Sequence, residues 1–179
     1  MNRIALVGFM GAGKTTVGKL LAEKLRWRFF DSDEEMEKRT GSTVSELLSK
    51  DPEGFRRLEA ETIRELLAEE QMVLATGGGA VTRRETLELL LLKATVVYLE
   101  VPLEVLWERT GKEEGAAVRP LLKDGFAKFQ ELFCQRESSY KRAHLHIDGR
   151  EEPEAIVERI IAGRRNGSGG HNQAESRGE

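Results

Sequence analysis

The stretch Arg3-Ile4-Ala5-Leu6-Val7-Gly8-Phe9-Met10-Gly11-Ala12-Gly13-Lys14-Thr15-Thr16 decides how the rest of the chain is read. Its opening residues are β-prone and mostly apolar, which predicts a strand over 3–7. Glycines follow, and then Val17, Leu20, Leu21 and Leu25 repeat at the spacing of one helix face over 15–26. Strand, glycine loop and helix in that order form the setting in which Gly8–Thr15, a match to G-x-x-x-x-G-K-[ST], holds a phosphate. Glycine lets successive N–H groups turn into one concavity, and the helix N-terminus adds partial positive charge there. Lys14 is placed to reach the β- and γ-phosphates, and the Thr15 hydroxyl to ligate Mg²⁺. A glycine-rich turn without function is the bland alternative, and the flanking strand and helix argue against it.

Outward from this motif, strand and helix patterns alternate. Strands are predicted at 27–30, 72–75, 94–101 and 143–148, with helices at 33–39, 44–49, from Pro52, 84–91, from Pro102, 125–140 and 153–164. Five strands each followed by a helix imply an α/β fold of three layers, with helices on both faces of a parallel sheet. The stretch 110–123 holds two glycines, a proline and mixed charge without a clean period, and reads as a loop. Gly163–Glu179 has five of the 18 glycines and no Val, Ile, Leu or Phe. It cannot bury enough apolar surface to offset its ordering entropy, so a disordered tail over 163–179 is expected after one domain over 1–162.

Composition narrows the function. The chain has 179 residues, 28 Lys+Arg against 31 Asp+Glu and a formal net charge of −3, a balance that argues against a dedicated nucleic-acid binder. No apolar run approaches the roughly 18 residues needed to cross a bilayer, and the run at Ile4–Val7 stops too soon for a secretory signal. The single cysteine, Cys134, excludes an intramolecular disulfide and a cysteine-built zinc site. A cytoplasmic monomer with no nucleic-acid or membrane partner is the expectation.

A phosphate loop does not say where the phosphate goes. No Asn-Lys-x-Asp segment is present to read guanine, and Val96–Glu100 has the form of a Walker B strand but lies far down the chain. Asp31, at the end of the second strand, is better placed. Asp31 and Asp33 point the same way if that strand continues; a polar strand exit with Asp33 as a helix cap is the alternative. Arg56 and Glu59 share a helix face, as a solvated charged helix also would. Gly77-Gly78-Gly79 after an apolar strand is costly in backbone entropy, and close approach of a ligand to the backbone is the better reason for it. His144 and His146 alternate on a strand and lack a third metal ligand, so they read as surface residues.

Taken together, Gly8–Thr15, Asp31-Ser32-Asp33, Phe55-Arg56-Arg57-Leu58-Glu59, Thr76–Gly79, Val118-Arg119-Pro120-Leu121-Leu122 and Arg136 resemble the shikimate kinase family, in order from Arg3 to about Asp148. The resemblance implies a nucleoside-monophosphate-kinase-like fold, sheet order 2-3-1-4-5, with a mobile lid at about 110–123. It implies transfer of the ATP γ-phosphoryl group to the 3-hydroxyl of shikimate. By this resemblance ATP and Mg²⁺ sit on Gly11, Ala12, Gly13, Lys14, Thr15 and Thr16, with Asp31 supporting the metal. Asp33 is the general base, and Arg56 and Arg136 bind the shikimate carboxylate with the backbone of Gly77, Gly78 and Gly79. Glu59 orients Arg56, the lid residue Arg119 reaches the phosphates, and Arg109 and Arg150 lie on the adenine side. Two rivals remain open at this stage: the same fold with gluconate or a nucleoside monophosphate as acceptor, and a regulatory ATPase with no acceptor.

Overall fold

Strand β1 (Arg3–Val7) occupies the middle of the sheet, and every residue in it after Arg3 is buried. The computed structural model describes residues 2–112 and 125–167, the side chains of 112, 166 and 167 excepted. Helix α1 (Lys14–Leu25) follows the glycine loop, and β2 (Arg28–Asp31) leads directly into α2 (Ser32–Thr40). Next come α3 (Val44–Lys50), α4 (Pro52–Leu66), β3 (Met72–Ala75), a 3₁₀ turn (Ala80–Thr82) and α5 (Arg84–Lys93). The chain continues through β4 (Thr95–Glu100), α6 (Leu103–Lys112), α7 (Gly125–Tyr140), β5 (Leu145–Asp148) and α8 (Pro153–Gly167).

The sheet order is β2-β3-β1-β4-β5 with every neighbouring pair parallel, as expected from the sequence. Such a sheet is covered on both faces, and its inner strands read as continuous apolar runs for that reason. Leu6, Val73, Leu74, Val96 and Val97 are wholly buried. Burying each such side chain contributes about 1.5–3 kcal/mol. On one face α1 packs against α8 and β3, while α5 packs against β4 and α4.

Register positions the functional loops. Leu6 and Asp31 both lie opposite Ala75, and Val7 lies opposite Tyr98. The carboxyl ends of β1, β2 and β3 therefore open side by side, at the point where the strand order reverses. That is the crevice in which an α/β sheet of this type binds ligands. The Ser32 hydroxyl accepts the Gly77 N–H at 2.9 Å, tying the exit of β2 to the exit of β3 across 45 residues.

Most boundaries shift by one or two residues from the sequence expectation, and three of the differences have an identifiable physical reason. Helix α2 begins at Ser32 because Asp31 caps it, its carboxylate accepting the Asp33 N–H at 3.0 Å. Helix α6 continues to Lys112, three residues into the loop expected at 110–123, where Thr110 is buried with its hydroxyl donated to the Leu106 carbonyl. The remainder of that lid, Arg119 included, lies outside the described residues. Helix α8 runs to Gly167, into the stretch expected as tail. Gly163 lies against Leu145, and the Arg164 guanidinium covers the Trp27 ring at 4.5 Å.

Replacing Ser32 with Ala strands the buried Gly77 N–H, and the expected cost is about 1–3 kcal/mol. Urea unfolding should show a lower midpoint with an unchanged slope; an unchanged midpoint would mean that the two strand exits hold their places without this bond.

Candidate active site

The phosphate loop takes the backbone form that its glycines permit. Gly11 and Gly13 have φ of 78° and 87°, in the left-handed region that L side chains avoid. Lys14 Nζ donates to the Gly8 and Phe9 carbonyls, both at 2.9 Å, which holds the ammonium over the loop. The Thr15 hydroxyl donates to Asp31 Oδ2 at 2.8 Å, while the other oxygen of Asp31 caps α2. Asp31 is thus the helix cap, a place that the sequence had offered to Asp33. The two aspartates also do not lie along one strand, because β2 ends at Asp31. The first turn of α2 brings Asp33 back beside it.

Asp33 is half-buried with its Oδ1 closed off from solvent, and that oxygen has no hydrogen-bond partner among the described residues. Burial above all, then the charges of Asp31 and Glu59, push its carboxyl up to about 7 against the pull of Lys14. Glu59 is buried too and accepts from Arg56 Nη1 at 2.6 Å. Desolvation raises its carboxyl and is opposed by Arg56 and Arg136. Arg136, on α7, is buried with its guanidinium 5.6 Å from the Phe9 ring, and burial lowers its pKa.

The triple glycine passes through the middle of this group, where Gly77 and Gly79 leave no room for a side chain. A Cβ on Gly77 would stand 2.6 Å from Asp33 Oδ1 and 2.8 Å from Glu59 Oε1. One on Gly79 would run into the Arg56 guanidinium, and one on Gly78 would lie 3.7 Å from Arg136 Nη1 and 3.6 Å from the Gly8 carbonyl. Since Lys14 donates to that same carbonyl, Asp33, Arg56, Glu59, Arg136 and the phosphate loop converge on three adjacent positions, Gly77–Gly79. Three carboxylates face three cations here, in a pocket suited to a small polar molecule with an anionic group.

On the other side of the loop a cavity of about 470 Å³ is lined by Gly11, Ala12, Gly13, Thr16, Arg109 and Arg150, among others. Arg109 donates to the Gly149 carbonyl at 3.0 Å, joining α6 to the β5–α8 turn. Arg150 stands at the rim with its guanidinium paired to both oxygens of Asp148, which lowers that carboxyl to about 2. Glu100, the formal Walker B acid, opens instead on a separate cavity of about 440 Å³ with His146 and Asp148. His144 accepts the Val96 N–H through Nδ1 at 3.0 Å and extends the strand pairing.

Three residues that hold the acceptor side went unseen in the sequence. Ser32 holds Gly77, the Thr82 hydroxyl donates to the Gly79 carbonyl at 2.6 Å, and the Tyr140 hydroxyl donates to the Gly78 carbonyl. Only Tyr140 left a signal, one helical turn after Arg136 on the same face.

A model of the shikimate kinase family matches residues 10–163. The chain belongs to that family. It is 38% identical over 160 residues to the shikimate kinase of Aquifex aeolicus (strain VF5), covering 89% of this chain and 94% of that one. With the shikimate kinase of Dechloromonas aromatica (strain RCB) the identity is 47% over 152 residues, covering 83% and 81%. The solved shikimate kinase from Acinetobacter baumannii in complex with shikimate superposes with a TM-score of 0.86 at 38% identity, over 93% of this chain and 94% of that chain. The shikimate kinase fold explains why the strand order and the glycine-lined crevice occur together in this chain.

The raised Asp33 carboxyl makes stability fall as pH rises. Between the ordinary value of 3.8 and about 7, the folded protein keeps a proton at Asp33 that the unfolded chain has released. Stability from this group is complete below that window and lost above it. Asp33→Asn carries no such slope, so the variant is expected to melt above the parent at pH 8, with the advantage shrinking toward pH 5. A variant that melts lower at pH 8 would mean that the ionised carboxylate is well accommodated.

Proposed function

We propose that this chain transfers the γ-phosphoryl group of ATP to the 3-hydroxyl of shikimate, with ATP on the phosphate loop and shikimate against the triple glycine. The observation that carries this reading is the buried, unpartnered Asp33 Oδ1, set between the Lys14 loop and two guanidinium groups. Arg56 and Arg136 meet the shikimate carboxylate, which a planar fork of donors fits well. Glu59 fixes Arg56 through the 2.6 Å bond, and the N–H groups of Gly78 and Gly79 add donors. Asp33 accepts the hydroxyl proton as the oxygen attacks the γ-phosphorus; the new O–P bond forms while the bond to the β-phosphate oxygen breaks, and ADP leaves.

Lys14 and, from the lid, Arg119 take up charge on the transferring group. Gly11, Ala12, Gly13, Thr15 and Thr16 cradle the phosphates, and Arg109 and Arg150 flank the adenine. Thr15 and Asp31 offer a hydroxyl and a carboxylate 2.8 Å apart, the hard oxygen donors that Mg²⁺ prefers. Mg²⁺, when bound there, neutralises charge on the β- and γ-phosphates. We read the protein as a cytoplasmic monomer, a state that sizing chromatography checks.

A nucleoside monophosphate as acceptor would bring a second phosphate, which calls for a denser arginine cluster than Arg56 and Arg136. Following ADP release with shikimate, gluconate or AMP added separately tests the reading: shikimate alone should stimulate it. Stimulation by gluconate or AMP, or hydrolysis indifferent to all three, would overturn it. Asp33→Asn should lower kcat by about 10²–10⁴-fold with the KM for ATP little changed. With the parent, kcat/KM for shikimate should rise with pH through about 7, the value to which Asp33 is pushed. Arg56→Ala should act mainly on the KM for shikimate.

A further inference from the structure

We propose that the Tyr140 hydroxyl is a positioning group for shikimate, orienting at once the Arg136 guanidinium and the Gly78–Gly79 peptide. This rests on the assignment of Arg136 to the shikimate carboxylate, and it adds a residue with no contact to substrate. Tyr140 lies four residues after Arg136 on α7, and both side chains are buried. Its hydroxyl donates to the Gly78 carbonyl, 62 residues away in sequence, and lies near enough to the Arg136 guanidinium for the two groups to interact. One proton and two lone pairs leave the oxygen able to accept from that guanidinium while it donates to Gly78. Burial holds the phenol above its ordinary titration range, so the proton stays on the oxygen at every working pH.

Two consequences follow from peptide and guanidinium geometry. A trans peptide sets the carbonyl of one residue and the N–H of the next on opposite sides. Holding the Gly78 carbonyl at Tyr140 therefore turns the Gly79 N–H away from Tyr140. The Arg136 group is planar with its donors in fixed directions. Phe9 lies against it at 5.6 Å, and an N–H given to Tyr140 would hold the fork in one orientation. The phenol ring is itself fixed by stacking on Tyr98, with centroids 5.3 Å apart and planes at 24°.

A tyrosine that merely fills the core would affect folding, and kinetics with both substrates equally. A positioning tyrosine splits them. Tyr140→Phe is expected to raise the KM for shikimate about 10-fold, with kcat and the KM for ATP within about twofold, the loss of one bond to a charged group. Tyr98→Phe keeps the stacked ring and should leave all three constants unchanged. Arg136→Lys keeps the charge but not the fork, and should also raise the KM for shikimate about 10-fold.

In the Arg136→Ala background, Tyr140→Phe should add less than it does alone. If Arg136→Ala leaves the KM for shikimate unchanged, the carboxylate assignment itself fails. If Arg136→Ala raises it while Tyr140→Phe or Arg136→Lys does not, the site stands and the role given to Tyr140 is overturned. Equal losses toward both substrates in Tyr140→Phe would also overturn that role.

Discussion

The parallel pairing of β2 with β3 sets Asp31 opposite Ala75, and the geometry of the cleft depends on that register. A shift of one residue would turn every side chain of β2 to the other face of the sheet. It would remove Asp31 from Thr15 and Ser32 from Gly77 together. The same register puts Thr76–Gly79 directly beside the phosphate loop, because β1 and β3 are also paired in parallel. Reactants held side by side in this manner need little further loss of freedom to react.

The electrostatics of the cleft are balanced in number and uneven in quality. Arg56 and Glu59 are paired at 2.6 Å, which opposes the desolvation of the buried Glu59 carboxyl without cancelling it. Asp33 has no such partner among the described residues, and its carboxyl is raised to about 7 by burial and by two neighbouring carboxylates. A fold selected only for stability would fill that position with an apolar or amide side chain. A carboxyl raised toward neutrality next to a lysine and a glycine backbone is what the general-base role proposed for Asp33 would require.

Parts of this architecture that are encoded locally were legible in the sequence. The β1–loop–α1 unit carries its own signal in Gly8–Thr15, and Pro52 announces α4 at its first residue. The exit of β2 was harder to read, since Asp31 ends a strand, caps a helix and accepts from Thr15 at once. The residues that shape the acceptor pocket from behind were not legible. Ser32 and Tyr140 act on glycines 45 and 62 residues away, and nothing in their neighbourhoods reveals such partners. Arg136 was bland on its helix for the same reason; only the resemblance to a family singled it out. The continuation of α8 past Gly163 depends on Leu145 and Trp27, elements distant in the chain.

Phe9 shows how the two substrate sides are kept in step. It occupies a position of the phosphate-loop motif where any residue is allowed, yet it is fully buried. Its ring packs edge-on against Phe129 at 5.0 Å and Phe133 at 5.5 Å, and the Arg136 guanidinium lies over it. All three partners are on α7. The phosphate loop and the helix bearing the acceptor arginine are therefore joined by an aromatic contact of the kind worth about 0.5–1.5 kcal/mol per pair beyond its burial. The distance between the phosphate loop and Arg136 is fixed by packed rings rather than by backbone alone. That is a stiff linkage, since a close-packed interior resists small displacements. It also places Tyr140, two further turns along α7 from Phe133, where its hydroxyl meets the third strand's glycine loop.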